Sequence, residues 1–110
     1  MILQPLIKQF DAMTRQQILE LPPGKWDDDK LLKVSKYFDS EKKDRDRAMA
    51  VAELILRSPE LGGLDYEMLF LDLTGYYSWK RDFPAALRWA HAHIAFDEQQ
   101  QNERQTHPGS

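Results

Sequence analysis

The segment from Phe70 to Phe96 constrains the fold more than any other part of the chain, because it has the pattern of two amphipathic helices joined by a short polar turn. In the second helix, apolar residues recur at helical spacing and form one stripe: Phe83, Ala86, Leu87, Ala90 and Ile94. In the first helix, four residues share a face that we expect to meet this stripe: Phe70, Leu73, Thr74 and Tyr77. Asp65 and Asp82 stand where a carboxylate caps a helix N-terminus. The segment therefore predicts an antiparallel helical hairpin.

The spacing of large and small residues in this hairpin resembles that of the tetratricopeptide repeat. That family has a helix–turn–helix of about 34 residues, with the pattern W-x2-L-G-x2-Y followed by A-x3-F and a proline. The segment Phe70-x2-Leu73-Thr74-x2-Tyr77 matches the first half, and Ala86 follows at the family's alanine position. The small residues Thr74 and Ala86 would let the two helices approach closely.

The chain also departs from the family pattern in the same hairpin. Ala90 replaces the second aromatic residue, and Arg81 and Glu98 stand where glycine and the closing proline are usual. His93 occupies a position that the family fills with a small residue.

A second, weaker copy of the pattern lies upstream. The first-helix pattern recurs 39 residues earlier, as Leu31-x2-Val34-Ser35-x2-Phe38. Ala48 and Ala52 precede Ala86 and Ala90 by 38 residues, so the upstream turn is one residue longer. Pro59 supplies the terminator that the later copy lacks.

These patterns predict an all-α fold of about five helices, with antiparallel αα-hairpins in a tetratricopeptide-like or right-handed helical-bundle arrangement. We expect a single domain over residues 1–98, with hairpins at 28–59 and 65–98. An extra N-terminal helix at 4–20 would pack on the first hairpin as a cap. Residues 99–110 lack an apolar anchor, which predicts a frayed helix end and a disordered tail.

Composition narrows the class of protein. A length of 110 residues fits one domain, and an apolar content of 42% supports a real core. The chain has no cysteine, which excludes disulfides and thiolate chemistry and fits a reducing compartment. No apolar run is long enough to span a bilayer, and the N-terminus lacks a signal-peptide pattern, so we expect a cytoplasmic protein.

The sequence contains no pattern typical of catalytic or metal-binding residues. The run Asp27–Asp29 suits a helix start, where carboxylates are favoured by the helix dipole. His91 and His93 would project about 200° apart on a helix, so they cannot chelate one ion together; His93 can instead reach Asp97 or pack with Trp89. We therefore predict no catalytic, cofactor-binding or metal-binding residue, and no cofactor.

The last helix carries a second apolar stripe, formed by Ala85, Trp89, Ala92 and Phe96. A helix that is apolar on two sides is either sandwiched or exposes a contact surface. We predict that these four residues form an oligomer interface, which favours a homodimer. The alternative is that the N-terminal helix folds over this face.

The family resemblance implies a concave partner-binding face made by the first helix of each unit. By repeat position it would present seven residues: Leu32, Lys33, Lys36, Leu71, Asp72, Gly75 and Trp79. Lys33 and Lys36, at spacing three, could together hold a carboxylate or an acidic peptide segment. Glycine in mid-helix costs about 1 kcal/mol relative to alanine, so Gly75 suggests close approach of a neighbour.

The function predicted is a non-catalytic protein–protein interaction module that self-associates or docks on a larger protein or peptide partner, without a membrane. One alternative is a small helical enzyme or ligand-binding domain with a pocket between the hairpins. Another is a nucleic-acid accessory protein using the cations from Lys42 to Arg47, although Asp44 and Asp46 interrupt them. A net charge of −3 makes nucleic acid the less favoured partner.

Overall fold

A computed structural model of the chain describes residues 3–59 and 65–105, and every regular element in those two ranges is an α-helix. There are six: α1 (Leu3–Asp11), α2 (Arg15–Leu19), α3 (Asp28–Ser40), α4 (Arg45–Leu56), α5 (Tyr66–Trp79) and α6 (Phe83–Gln105). The predicted all-α class is confirmed. Within these ranges, the helices are too short or too polar to cross a membrane.

The chain divides between Leu69 and Phe70 into two compact units. We refer to them as the N-terminal unit and the C-terminal unit. The boundary falls inside α5, whose first turn belongs to the N-terminal unit.

The predicted N-terminal helix at 4–20 is two helices, so the structure has six helices where the sequence predicted about five. The chain turns after Asp11, and Thr14 then caps α2. Its hydroxyl accepts a hydrogen bond from the Gln17 amide at 3.1 Å, and its own amide donates to the Gln17 side chain at 2.9 Å. This capping box satisfies two amides that a helix start leaves unpaired, which makes a new start favourable here.

The N-terminal unit has a continuous apolar core. Helix α3 packs against α4, α2 packs against α4, and α1 packs against α3, which confirms that the N-terminal helices cover the first hairpin. The largest fully buried side chains of this unit are Phe10, Ile18, Leu31, Val34, Phe38, Val51, Leu54 and Ile55. Burial of each side chain of this size contributes about 1.5–3 kcal/mol, so these residues supply most of the driving force for folding of the unit.

Helices α3 and α4 approach closely where the sequence places small residues. The buried Ser35 hydroxyl donates a hydrogen bond to the Ala48 carbonyl at 2.8 Å. A larger side chain at Ser35 would separate the two backbones and lose this bond. The upstream hairpin thus has a close contact between small residues, while the contact expected between Thr74 and Ala86 in the later hairpin stays a prediction.

Arg47 joins the end of α1 to the start of α4. Its guanidinium donates to the Asp11 carbonyl at 2.9 Å, to the Met13 carbonyl at 3.1 Å and to the Asp44 carboxylate at 2.6 Å. It also lies over the Phe38 ring, with 4.4 Å between the guanidinium carbon and the ring centroid. The side chain is 18% exposed, so these bonds are partly shielded from water.

A second polar link in the N-terminal unit lies at the start of α5. The Tyr66 hydroxyl donates to the Asp28 carboxylate at 2.7 Å, and both residues are buried. Asp28 was expected only to favour the start of α3 electrostatically. Its hydrogen bond to Tyr66 also satisfies a carboxylate oxygen that would otherwise be costly to bury.

The turns of the two hairpins have the same local structure, a residue in the left-handed conformation followed by a capping aspartate. Lys43 has a φ of 54° and Arg81 a φ of 62°, which places both in the left-handed region that favours glycine. An aspartate follows each of them and caps the next helix. Asp44 accepts from the Arg47 amide at 3.1 Å, and Asp82 accepts from the Ala85 amide at 3.2 Å. The capping role predicted for Asp82 is confirmed.

The backbone bonds that close these turns differ by one residue. The Asp44 amide donates to the Phe38 carbonyl at 2.8 Å, whereas the Asp82 amide donates to the Tyr77 carbonyl at 2.9 Å. Phe38 and Tyr77 occupy equivalent positions in the two copies, so the structure reproduces the longer upstream turn. The bond in the later hairpin is that of a Schellman motif, with Arg81 as its left-handed residue.

Helix α6 continues beyond the predicted point of fraying. It runs to Gln105, so the first residues of the predicted tail at 99–110 are helical, and residues 106–110 lie outside the described part of the chain. The segment from Glu98 to Gln105 consists almost entirely of Gln, Glu and Arg, which have high helix propensity. Lack of an apolar anchor is therefore not sufficient to end the helix.

Candidate functional site

In the C-terminal unit, the contact between α5 and α6 centres on Phe70. Its ring stacks on the His93 imidazole, with centroids 5.0 Å apart and planes 5° from parallel. It also meets the rings of Trp89 at 6.2 Å and Phe96 at 5.4 Å. These contacts show which face of α6 packs on α5.

The packed face is only in part the one that the sequence predicted, because Ala86 of the first stripe is 7% exposed and Ala90 is half-buried. Phe83, Leu87 and Ile94 were expected to face α5, yet they are 58%, 58% and 57% exposed. The second stripe supplies the interior, with Ala85 2% and Phe96 8% exposed. Helical spacing gives the period of both stripes but not which of them faces inward, and the ring contacts of Phe70 favour the face that carries the aromatic residues.

The burial of the second stripe bears directly on the predicted oligomer interface. Ala85 and Phe96 are buried within the chain, and Trp89 and Ala92 are half-buried, so these four residues do not form an open surface. Self-association itself stays a prediction. The side chains free to meet another molecule are Phe83, Leu87 and Ile94, which we call the exposed stripe of α6.

The predicted role of His93 is confirmed in part. Its Nε2 lies 3.5 Å from the Asp97 carboxylate, one helical turn further along α6. The ring that stacks on His93, however, is Phe70, whereas packing with Trp89 was expected. His93 therefore contributes to packing of the hairpin while its edge remains near a carboxylate.

Helix α5 also exposes apolar residues. Leu71 is 56% and Trp79 76% exposed, Gly75 is exposed between them, and Asp72 is half-buried. Among the residues that the structure describes, a Cβ atom at Gly75 would meet nothing within 4 Å, so these residues do not supply the close neighbour that we expected. The ammonium group of Lys80 lies 5.4 Å from the Trp79 ring centroid, in a cation–π contact at the end of the helix.

Charges are unevenly distributed along the exposed surface of α6. Lys80, Arg81 and Arg88 lie at its start or in the turn before it, and all three are exposed, as is the capping Asp82, which offsets one of these positive charges. The half-exposed Asp97 and the exposed Glu98 lie in its second half. The exposed stripe therefore runs from a basic end to an acidic end.

In the N-terminal unit, the residues predicted to bind a partner lie on α3. Lys33 and Lys36 are exposed one turn apart, whereas Leu32 is half-buried. Lys30 extends the same exposed face by one more turn, and the sequence reasoning did not include it.

A cavity of about 250 Å³ opens beside Lys30, lined by Pro5, Leu6, Gln9, Trp26 and Lys30. Trp26 also meets the Phe10 ring edge-on, with centroids 5.2 Å apart, which fixes one wall of the cavity. The sequence signal for this site is a row of lysines at spacing three, which begins four residues after a tryptophan in the preceding loop.

The cations predicted for the nucleic-acid alternative are mostly paired. Lys42 lies 3.6 Å from Asp11, Arg45 lies 3.2 Å from Asp39, and Arg47 bonds Asp44 as described above. Within the described ranges, Lys43 is the member of that set without an ion-pair partner. This pairing weakens the case for a phosphate-binding face there.

Comparison with known proteins adds no family to this description. No family model, curated protein or solved structure matches the chain. The resemblance to the tetratricopeptide repeat therefore depends on the chain's own pattern and on the geometry of its two hairpins.

Proposed function

We propose that this chain is a non-catalytic, cytoplasmic protein-interaction module of tetratricopeptide-like construction that forms a homodimer through α6. One observation carries the proposal. Three large apolar side chains on one face of α6, Phe83, Leu87 and Ile94, are each more than half exposed. Grouped apolar side chains of this kind mark contact surfaces, because their burial against another molecule removes them from water.

The geometry of the turns supports the tetratricopeptide-like part of the proposal. Both hairpins place a left-handed residue before a capping aspartate, at Lys43 and at Arg81. Arg81 stands where the family pattern has glycine, and it adopts a conformation that favours glycine. The equivalent residues of the two hairpins, Lys43 and Arg81, therefore adopt the same left-handed backbone conformation.

The order of charges along α6 favours a second copy, arranged antiparallel, as the partner. In that arrangement the basic end of one stripe faces the acidic end of the other, so Lys80 and Arg81 of each chain lie near Asp97 or Glu98 of its partner. A parallel arrangement would place like charges together, which is unfavourable. Exposed ion pairs add at most about 1 kcal/mol each, so the charges select the orientation while the apolar stripe supplies the affinity.

The experiment is light scattering across a concentration series, with one variant on each helix of the hairpin. Leu87→Glu places a charge in the exposed stripe, and we expect a folded monomer with the helical circular dichroism of the wild type. Leu71→Glu is the matched control, because Leu71 is equally exposed but lies on α5. We expect this variant to remain a dimer.

Two results would contradict the proposal. A wild-type chain that is monomeric at every concentration would rule out the homodimer and leave the stripe for a different protein. Loss of the dimer in Leu71→Glu, but not in Leu87→Glu, would move the contact from α6 to α5.

A further inference from the structure

Three lysines form a row along the exposed face of α3, in the N-terminal unit. Lys30, Lys33 and Lys36 follow one another at spacing three, and all are exposed. Within residues 3–59 and 65–105, none of their ammonium groups has an ion-pair partner. The row spans six residues, or about 9 Å along the helix axis.

The row begins at an apolar cavity. Lys30 lines the cavity of about 250 Å³ together with Leu6 and Trp26, while Gln9 contributes an amide at its edge. This volume is below the roughly 300–1,000 Å³ of typical small-molecule sites. The cavity therefore suits one large apolar side chain rather than a whole cofactor. Trp26 supplies a rigid aromatic wall, and its ring also lies 5.1 Å from the Lys25 ammonium group.

We propose that the cavity and the lysine row together bind an extended acidic protein segment that carries one apolar side chain. The apolar side chain enters the cavity beside Trp26, and carboxylates on the following residues meet Lys30, Lys33 and Lys36. An extended chain advances about 3.3 Å per residue and its side chains alternate between two faces, so a row of about 9 Å matches the alternate carboxylates of a segment of about four residues. The site lies on a different unit from the exposed stripe of α6 and does not depend on the proposed homodimer.

The surroundings of the row favour a peptide over a nucleic acid. The exposed carboxylate of Asp29 lies beside Lys30, where it would repel a phosphate backbone that continued past this end of the row. A short acidic segment need not extend past Asp29. The cavity also offers burial to an apolar side chain, which a nucleic acid does not carry.

The experiment measures fluorescence anisotropy of a dye-labelled hexapeptide, one phenylalanine followed by glutamates, against the full chain. Two matched peptides replace the glutamates with glutamines or the phenylalanine with serine. A labelled oligothymidylate tests binding through phosphates. Lys33→Glu removes the central cation of the row, and Lys43→Glu is its control, because it makes the same charge change at an exposed lysine outside the row.

We expect the phenylalanine–glutamate peptide to bind, with weaker binding as salt increases. Lys33→Glu should weaken binding about fivefold, in line with the loss of one exposed charge pair and its replacement by a repulsion. Lys43→Glu should change it less than about twofold. Both matched peptides should bind more weakly than the parent peptide.

Three results would overturn the proposal. The first is equal binding of the glutamine peptide, which would show that the lysines do not contribute. The second is an equal loss in Lys43→Glu, which would indicate a general charge effect. The third is binding of the oligothymidylate in the absence of peptide binding, which would assign the row to phosphates.

Discussion

Each unit of the chain contains a helical hairpin, but the two hairpins differ in how much of their apolar surface the rest of the unit covers. In the N-terminal unit, α1 and α2 cover the hairpin of α3 and α4, and Arg47 and Ser35 satisfy carbonyls where the helices meet. In the C-terminal unit, two helices share one interface, and large apolar side chains remain exposed on both of them. A helical hairpin can bury one face of each helix, so a hairpin whose helices are apolar on two sides leaves contact surface for another molecule.

The sharpest test of this difference is a matched pair of phenylalanines. Phe10 is 0% exposed in the N-terminal unit, and Phe83 is 58% exposed at the start of α6. We expect Phe10→Ala to lower the free energy of unfolding by about 3–5 kcal/mol. Phe83→Ala should lower it by about 1 kcal/mol or less, as is usual for surface positions.

Urea unfolding at concentrations where the chain is monomeric measures both changes without the contribution of a dimer. Similar losses for the two variants would show that Phe83 is part of a core, and the comparison between the units would fail.

A smaller effect is expected from a matched pair of arginines in α4. Arg47→Ala removes hydrogen bonds to two carbonyls at the end of α1 and leaves them partly buried, which should cost about 2–3 kcal/mol. Arg45→Ala breaks an ion pair whose side chains are about half exposed, which should cost about 0.5 kcal/mol. Thermal unfolding of the two variants provides the measurement. An Arg47 variant as stable as the Arg45 variant would indicate that the hydrogen bonds of Arg47 contribute little to the stability of the N-terminal unit.

The smallest effect, and the opposite in sign, is expected at Gly75 in α5. Gly75→Ala should raise the free energy of unfolding by about 1 kcal/mol, because alanine loses less conformational entropy in a helix and its Cβ atom would meet none of the described residues within 4 Å. Chemical denaturation at low protein concentration gives this value for the monomer. A loss of stability would mean that a neighbour occupies the space beside Gly75.

Local signals in the sequence predicted much of this fold. The caps Asp65 and Asp82 act as expected, with Asp65 accepting from the Met68 amide at 3.2 Å. The one-residue difference between the hairpin turns is also present. These features depend on residues close together in the chain, so a sequence pattern contains the information that determines them.

Features that depend on tertiary partners were harder to predict. The two apolar stripes of α6 have the same period, and only the contacts of Phe70 decide that Phe96 faces inward and Leu87 outward. Similarly, Arg47 looked like one cation of a charged run, because its partners at Asp11 and Met13 lie 36 and 34 residues away. The cavity beside Trp26 combines α1 with α3, and no short sequence window includes both.

The separation between Arg47 and Asp11 also has a kinetic consequence. Their bond closes a loop of 36 residues that contains α2 and α3, and this closure has an entropic cost that a contact between near neighbours in the chain does not have. An interaction formed late, after the transition state, changes the unfolding rate rather than the folding rate. We therefore expect Arg47→Ala to unfold faster than the wild type while it folds at nearly the same rate.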